Sequence, residues 1–173
     1  MYEPINAVVI MGVAGSGKSA VARALEVRSG ARLIEGDAFH PDRNIQKMSA
    51  GQPLTDKDRA SWLHALEKQL KQTYRAGEHP ILTCSALKRA YRDGLRHAVP
   101  GLAFAYLQLS PTAAAERMAQ RQGHFMPSSL LDSQFADLEE PLDEPLTLVL
   151  DGTLSVGDLA SAIHQWWQHH APA

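Results

Sequence analysis

Cysteine is almost missing from this chain of 173 residues, and the single Cys84 excludes both an intrachain disulfide and a thiolate zinc cluster. That scarcity fits a reducing compartment. Long hydrophobic runs are missing as well. The longest near the start, residues 7–11, is too short for a membrane span or a signal-peptide core, and Glu3 rather than basic residues precedes it. Nor is there an excess of positive charge: 17 Lys and Arg against 19 Asp and Glu leave a formal charge of −2. This balance argues against a nucleic-acid partner bound by bulk electrostatics, while leaving room for a local cationic pocket. Repeats, low-complexity tracts and linkers are not found. The expectation is a cytoplasmic protein with neither membrane nor nucleic acid as partner.

What is present is enough apolar residue, 45%, for a real core, in a length that suits one domain over residues 1–173. Short apolar runs at residues 6–11, 32–35, 80–84, 102–109 and 146–150 read as five strands, mostly continuous as expected for strands buried on both faces. Helical patterns follow them over residues 17–28, 56–74 and 86–98, then from Ser110-Pro111, and last from Ser155. The 56–74 segment carries Trp62, Leu63, Leu66 and Leu70 on one face. Strands alternating with helices predict βαβ units, hence an α/β fold with a parallel sheet and helices on both faces. Two segments break the alternation: polar residues 38–55, with Pro41, Gly51 and Pro53, and residues 122–129, with Gly123 and Pro127. Both are expected to be irregular binding loops or lids.

The first strand runs into Gly12-Val13-Ala14-Gly15-Ser16-Gly17-Lys18-Ser19, a full match to G-x-x-x-x-G-K-[ST] in the strand–helix context that the motif requires. Such a loop folds around an anion, so that its N–H groups and the helix N-terminus face the β- and γ-phosphates. Lys18 would reach the phosphates and the Ser19 hydroxyl would ligate Mg²⁺. No N-K-x-D segment reads guanine, and the third strand ends in Thr83-Cys84-Ser85 without the terminal Asp of an ATPase. Instead, Glu35-Gly36-Asp37 ends the second strand and sets carboxylates at the carboxyl edge of the sheet beside the phosphate loop.

From these residues outward the chain resembles the gluconokinases, small P-loop kinases of D-gluconate. The matching segments after the phosphate loop are Glu35-Gly36-Asp37-Ala38-Phe39-His40-Pro41, Asn44, Lys47-Met48, Asp56-Lys57-Asp58-Arg59 and Trp62-Leu63. Further matches are Cys84-Ser85-Ala86-Leu87-Lys88-Arg89, Tyr91-Arg92-Asp93, Gly123-His124-Phe125-Met126-Pro127 and Ser133-Gln134-Phe135. Ala14 stands where the family often has Ser, and Ser61 where Pro is frequent. The resemblance implies an adenylate-kinase-like sheet in the order 2-3-1-4-5 and a homodimer. It also implies ATP with Mg²⁺ as donor and D-gluconate as acceptor. The related shikimate and adenylylsulfate kinases, and a non-catalytic nucleotide switch, are the competing readings.

Gluconate bears one carboxylate and several hydroxyls, so its site needs a cation, polar side chains and a carboxylate near the accepting hydroxyl. Residues 38–62 would supply His40, Asn44, Lys47 and Arg59; the segment after the third strand Ser85, Lys88 and Arg89; and the region of about 117–135, read as a lid, His124 and Gln134. Asp37 is the candidate to orient and deprotonate the 6-hydroxyl, and Glu35 to hold Mg²⁺ through water. By resemblance to adenylate-kinase-like enzymes, Arg117 would stack near the adenine and Arg121 would contact phosphate. The turn with Thr153 would wall the adenine. Thr55-Asp56-Lys57-Asp58 has capping-box spacing, so Asp56 and Asp58 fit helix-end acids better than catalysts. The alternative for Lys88 and Arg89 is a solvated helix face.

Overall fold

A computed structural model of the chain describes residues 3–120 and 128–171. Five strands, β1 (Ala7–Met11), β2 (Arg32–Glu35), β3 (Pro80–Thr83), β4 (Leu102–Gln108) and β5 (Thr147–Asp151), form one sheet in the order β2-β3-β1-β4-β5. All pairings are parallel. The central strands β1 and β3 are buried at every residue, which is why their sequences run apolar without alternation. At the edges, β2 and β5 are partly exposed.

Seven helices complete the described residues: α1 (Lys18–Ser29), α2 (Asp42–Ser49), α3 (Asp56–Arg75), α4 (Arg89–Arg96), α5 (Pro111–Gln120), α6 (Leu131–Asp137) and α7 (Val156–His169). Alternate strand residues face two separate cores. Val9, Met11, Leu82, Phe104 and Tyr106 meet Trp62, Leu66 and Leu70 of α3 and Leu95 of α4. Val8, Ile10, Ile81 and Ala105 meet Val21 and Leu25 of α1 and Leu159 and Ile163 of α7. Among the described residues no helix is long and apolar enough to cross a membrane.

Two expectations need correction. Residues 38–55 are irregular only in part: a 3-10 turn, Gly36–Phe39, leads into α2, whose few apolar positions, Ile45 and Met48, are too sparse to betray a helix, and residues 50–55 have no regular structure. Of the 122–129 segment only residues 128 and 129 are described, and they lie in a short 3-10 turn, Ser128–Leu130, that leads into α6. The helix expected from residue 86 starts only at Arg89, because Ala86 sits at φ 48° in the left-handed region and Lys88 is extended. Arg92 explains how Ala86 tolerates this. It is fully buried, and its guanidinium donates to Ala86 O at 2.6 Å and Leu87 O at 3.2 Å.

Candidate active site

The loop between β1 and α1 closes on itself at Gly17, whose φ of 91° belongs to the left-handed region that favours glycine. Gly17 is the N-cap of α1, without a side-chain cap, and no acid sits in the first helical turn. The orphan amides there are therefore left for an exogenous anion. Ser16 Oγ, buried in the same loop, also has no hydrogen-bond partner among the described residues. Lys18 Nζ folds back to donate to Gly12 O at 2.9 Å and Val13 O at 3.0 Å, pinning the start of the loop. Gln134, brought from α6, accepts from the Ala14 amide at 2.7 Å.

Behind the loop stands a relay of hydroxyls and one carboxylate. Ser19 Oγ donates to Glu35 Oε2 at 2.9 Å, and Thr83 Oγ1 donates to the same oxygen at 2.8 Å. Thr83 is the register partner of Glu35 across the β2–β3 pair, so the contact follows from parallel pairing. Thr83 Oγ1 also accepts from the Gly36 amide at 3.1 Å. Gly36 has to be glycine here, since a Cβ would lie 2.0 Å from Thr83 O. Thr83 was not foreseen as a site residue, although its place at the end of the strand paired with β2 was the available signal.

A single cleft runs from this loop to the segment after β2. Gly15, Gly17, Lys18 and Ser19 line one side, and Asp37, His40, Arg59 and Trp62 line the other. Ser85, Ser133 and Gln134 complete its rim. Asp37 is exposed, at the turn following β2. The His40 ring stacks on Trp62, with centroids 4.2 Å apart and planes 13° off parallel, and Trp62 Nε1 donates to Gly36 O at 2.9 Å. Burial pushes the His40 imidazole down to about 4, with Arg59 adding to the effect and Asp37 opposing it. Arg59, 8% exposed, donates to Asp137 Oδ2 at 3.1 Å and Tyr91 Oη at 3.0 Å. Asp137, supplied by α6, is a second residue that sequence reading did not single out.

The other expected contacts lie elsewhere. Asn44 is fully buried beneath the cleft rather than lining it. Lys47 is committed to Asp58 at 2.6 Å. Its hydrogen bond, with that of the Thr55 amide, holds the Asp58 carboxyl down to about 2. Asp58 also closes the capping box with Thr55, the helix-end role expected for it. Lys88 pairs with Asp56 at 2.9 Å, and Tyr91 Oη donates to the same Asp56 oxygen. Arg89 is exposed, 3.8 Å from Asp93 on its own helix, where it forms part of a solvated helix face.

On the far side of the loop, Arg117 of α5 spans Ser16 O at 3.3 Å and Gly152 O at 2.7 Å. It thereby ties the phosphate loop to the turn after β5, where Thr153 donates its hydroxyl to Asp151 at 2.6 Å. Arg121 and His124 lie outside the described residues, as does most of the 122–129 segment.

Two hard oxygen donors, the Ser19 hydroxyl and the Glu35 carboxylate, meet beside the phosphate loop. The Ser19 hydroxyl hydrogen is given to Glu35, so the Ser19 oxygen keeps its lone pairs for a metal. Among the described residues no three His, Cys, Asp or Glu side chains converge on one point. One hydroxyl and one nearby carboxylate suit Mg²⁺, which is usually held by one or two protein groups plus water and substrate phosphates.

A family profile described as an AAA domain matches residues 8–145. The gluconokinase of Gluconobacter oxydans (strain 621H) is 48% identical over 144 residues, spanning 83% of this chain and 81% of that protein. The thermoresistant gluconokinase of Escherichia coli (strain K12) is 44% identical over 144 residues, spanning 83% and 82%. Among solved structures, a gluconokinase from Sinorhizobium meliloti 1021 superposes with a TM-score of 0.87 at 45% identity, covering 98% of this chain and 95% of that one.

Proposed function

The chain belongs to the gluconokinase family, and from that premise we propose that it transfers the γ-phosphoryl group of ATP to the 6-hydroxyl of D-gluconate, yielding 6-phospho-D-gluconate and ADP. The observation that carries the reading is the single cleft shared by Lys18 and Ser19 on one side and Asp37, His40 and Arg59 on the other. A polyphosphate and a hydroxyl-rich acid could meet there end to end. The high identity to gluconokinases favours gluconate over the shikimate and adenylylsulfate alternatives.

Phosphoryl transfer asks the protein for position and charge neutralisation rather than covalent chemistry. In this reading the loop amides and Lys18 hold the β- and γ-phosphates, Lys18 turning from the loop carbonyls toward the nucleotide. Asp37 orients the 6-hydroxyl and accepts its proton. Arg59 is the cation for the gluconate carboxylate: although it is paired with Asp137, it lines the cleft, whereas Lys47 and Lys88 are paired with Asp58 and Asp56 outside the cleft lining. His40, Ser85 and Gln134 meet hydroxyls. Arg117 and Thr153 belong to the adenine end, and Arg121 to the transferred phosphate. Ser19, and Glu35 through water, would hold Mg²⁺, which when bound neutralises charge on the β- and γ-oxygens.

Residues 38–62 serve as the acceptor side and about 117–135 as the lid of one kinase domain. Closing both over the ligands excludes water, the competing acceptor. A homodimer in the cytoplasm completes the proposal, and sedimentation of the purified chain tests its oligomeric part.

The decisive experiment is ADP release with ATP and Mg²⁺ across a panel of sugar acids, with shikimate and adenylylsulfate included. Gluconate should be turned over far faster than the others, and faster than ATP is hydrolysed alone. Equal rates with and without gluconate would overturn the proposal.

A further inference from the structure

Asn44 is fully buried, yet it does not line the cleft. Its amide Nδ2 lies 2.9 Å from Asp58 O, an oxygen that can only accept, so the nitrogen and oxygen of this side chain are unambiguously placed. The other Nδ2 hydrogen faces His40 Nδ1 at 3.3 Å. A hydrogen on Nδ1 would set donor against donor, so Nδ1 must be the acceptor. The ring proton then resides on Nε2. The ring cannot easily rotate out of this arrangement, because it stacks on Trp62, itself anchored to Gly36 O. Asn44 Oδ1, meanwhile, is buried without a partner among the described residues. Burying that acceptor unsatisfied costs about 1–3 kcal/mol, so what the side chain contributes here is its two donors.

We propose that Asn44 is a positioning residue that holds His40 as the Nε2–H tautomer, so that the stacked imidazole offers the cleft a hydrogen-bond donor for an acceptor oxygen of the sugar acid. The substrate's identity rests on the function proposed above; the tautomer does not. A ring whose Nδ1 is occupied by an amide hydrogen and whose Nε2 carries the proton is no base, which leaves proton acceptance to Asp37. The surroundings of the ring keep it neutral on balance: burial and Arg59 of α3 oppose an added positive charge and outweigh Asp37, which favours it, while Lys47 and Asp58 neutralise each other.

The test reads the ring directly. Long-range ¹H–¹⁵N spectra of protein labelled with ¹⁵N-histidine, with the His40 signals assigned by H40Q, should show the Nε2–H form in the wild type at neutral pH, with or without gluconate. In N44D the new carboxylate accepts from Nδ1, so the ring should switch to the Nδ1–H form. In N44L no donor remains, and the KM for gluconate should rise about 3- to 10-fold, the scale of one hydrogen bond, while the KM for ATP stays put. An Nδ1–H ring in the wild type overturns the proposal. So does a tautomer unchanged in folded N44D. Should both variants fail to fold, the wild-type spectrum still decides. A wild-type Nε2–H ring in a protein that leaves gluconate untouched would uphold the positioning role and overturn the assigned reaction instead.

Discussion

Thr83 gives its hydroxyl hydrogen to Glu35 across the β2–β3 pair at 2.8 Å, and the same carboxylate oxygen receives the hydroxyl of Ser19 at 2.9 Å. A strand-end threonine thus stands where many P-loop ATPases carry an acid, and the acid comes from the neighbouring strand. Removing the carboxylate charge in E35Q should weaken Mg²⁺-dependent ADP binding by at least about tenfold, a loss of roughly 1.4 kcal/mol. Binding of ADP without metal should change little. Titration calorimetry with and without Mg²⁺ makes the comparison. Equal losses in both would reduce Glu35 to a structural prop. T83S should behave as the wild type, whereas T83V should approach E35Q.

Asp37 follows the close approach of Gly36 to Thr83 and is held at the cleft wall by the 3-10 turn. D37N should lower kcat by at least about 10²-fold, the usual scale for a lost positioned base. ATP affinity should be nearly unaltered. Steady-state kinetics combined with direct nucleotide binding separates the two effects, and retained turnover would remove Asp37 from the chemistry.

Arg92 and Glu144 form a buried fork-to-fork pair, with Nε–Oε1 at 2.9 Å and Nη2–Oε2 at 2.6 Å, and Arg96 adds a contact to Oε1 at 2.8 Å. Burial alone would raise the Glu144 carboxyl, but the two guanidiniums outweigh it and hold it below the ordinary range. Removing Arg92 leaves the buried Glu144 with Arg96 alone and strips the carbonyls of Ala86, Leu87 and Glu139 of their donor, so R92A should be destabilised by about 3 kcal/mol in denaturant unfolding. R92K, which cannot serve Glu144, Ala86 O and Glu139 O together, should recover only part of this. A loss in R92A comparable to an exposed arginine would contradict the assignment.

The pH dependence has two separable parts. His40 is lowered from 6.5 to about 4 on folding, so between those values the unfolded chain binds more protons and stability falls as pH falls through that window. Asp58 is lowered from 3.8 to about 2, so its contribution is complete above pH 3.8 and disappears as pH drops toward 2. H40Q should flatten the slope of unfolding free energy between pH 6.5 and 4, and D58N the slope below 3.8. Denaturation midpoints across pH test both. An unchanged upper slope in H40Q would show that the imidazole titrates freely in the fold.

How much was legible in advance follows from how far apart the partners lie along the chain. The phosphate loop, the five strands and the Thr55–Asp58 capping box are contiguous patterns, and each appears where its local chemistry predicted. Helix α2 escaped because eight mostly polar residues with two apolar positions carry too little periodicity to be read. The cations were harder still. Lys47, Arg59, Lys88 and Arg89 look alike in sequence, but only Arg59 lines the cleft.

By itself the sequence determined the local geometry: a glycine-rich turn that strands helix amides around an anion, and a sheet whose central strands must be buried on both faces. Only the tertiary structure decided which charges pair with one another and which of them reach the cleft. Arg59 meets Asp137 across 78 positions, Lys88 meets Asp56 across 32, and Thr83 meets Glu35 across 48. Pairings at such separations arise when helices pack on a sheet in one register. Charge neutralisation acts through distance in space, and spacing along the chain does not record it.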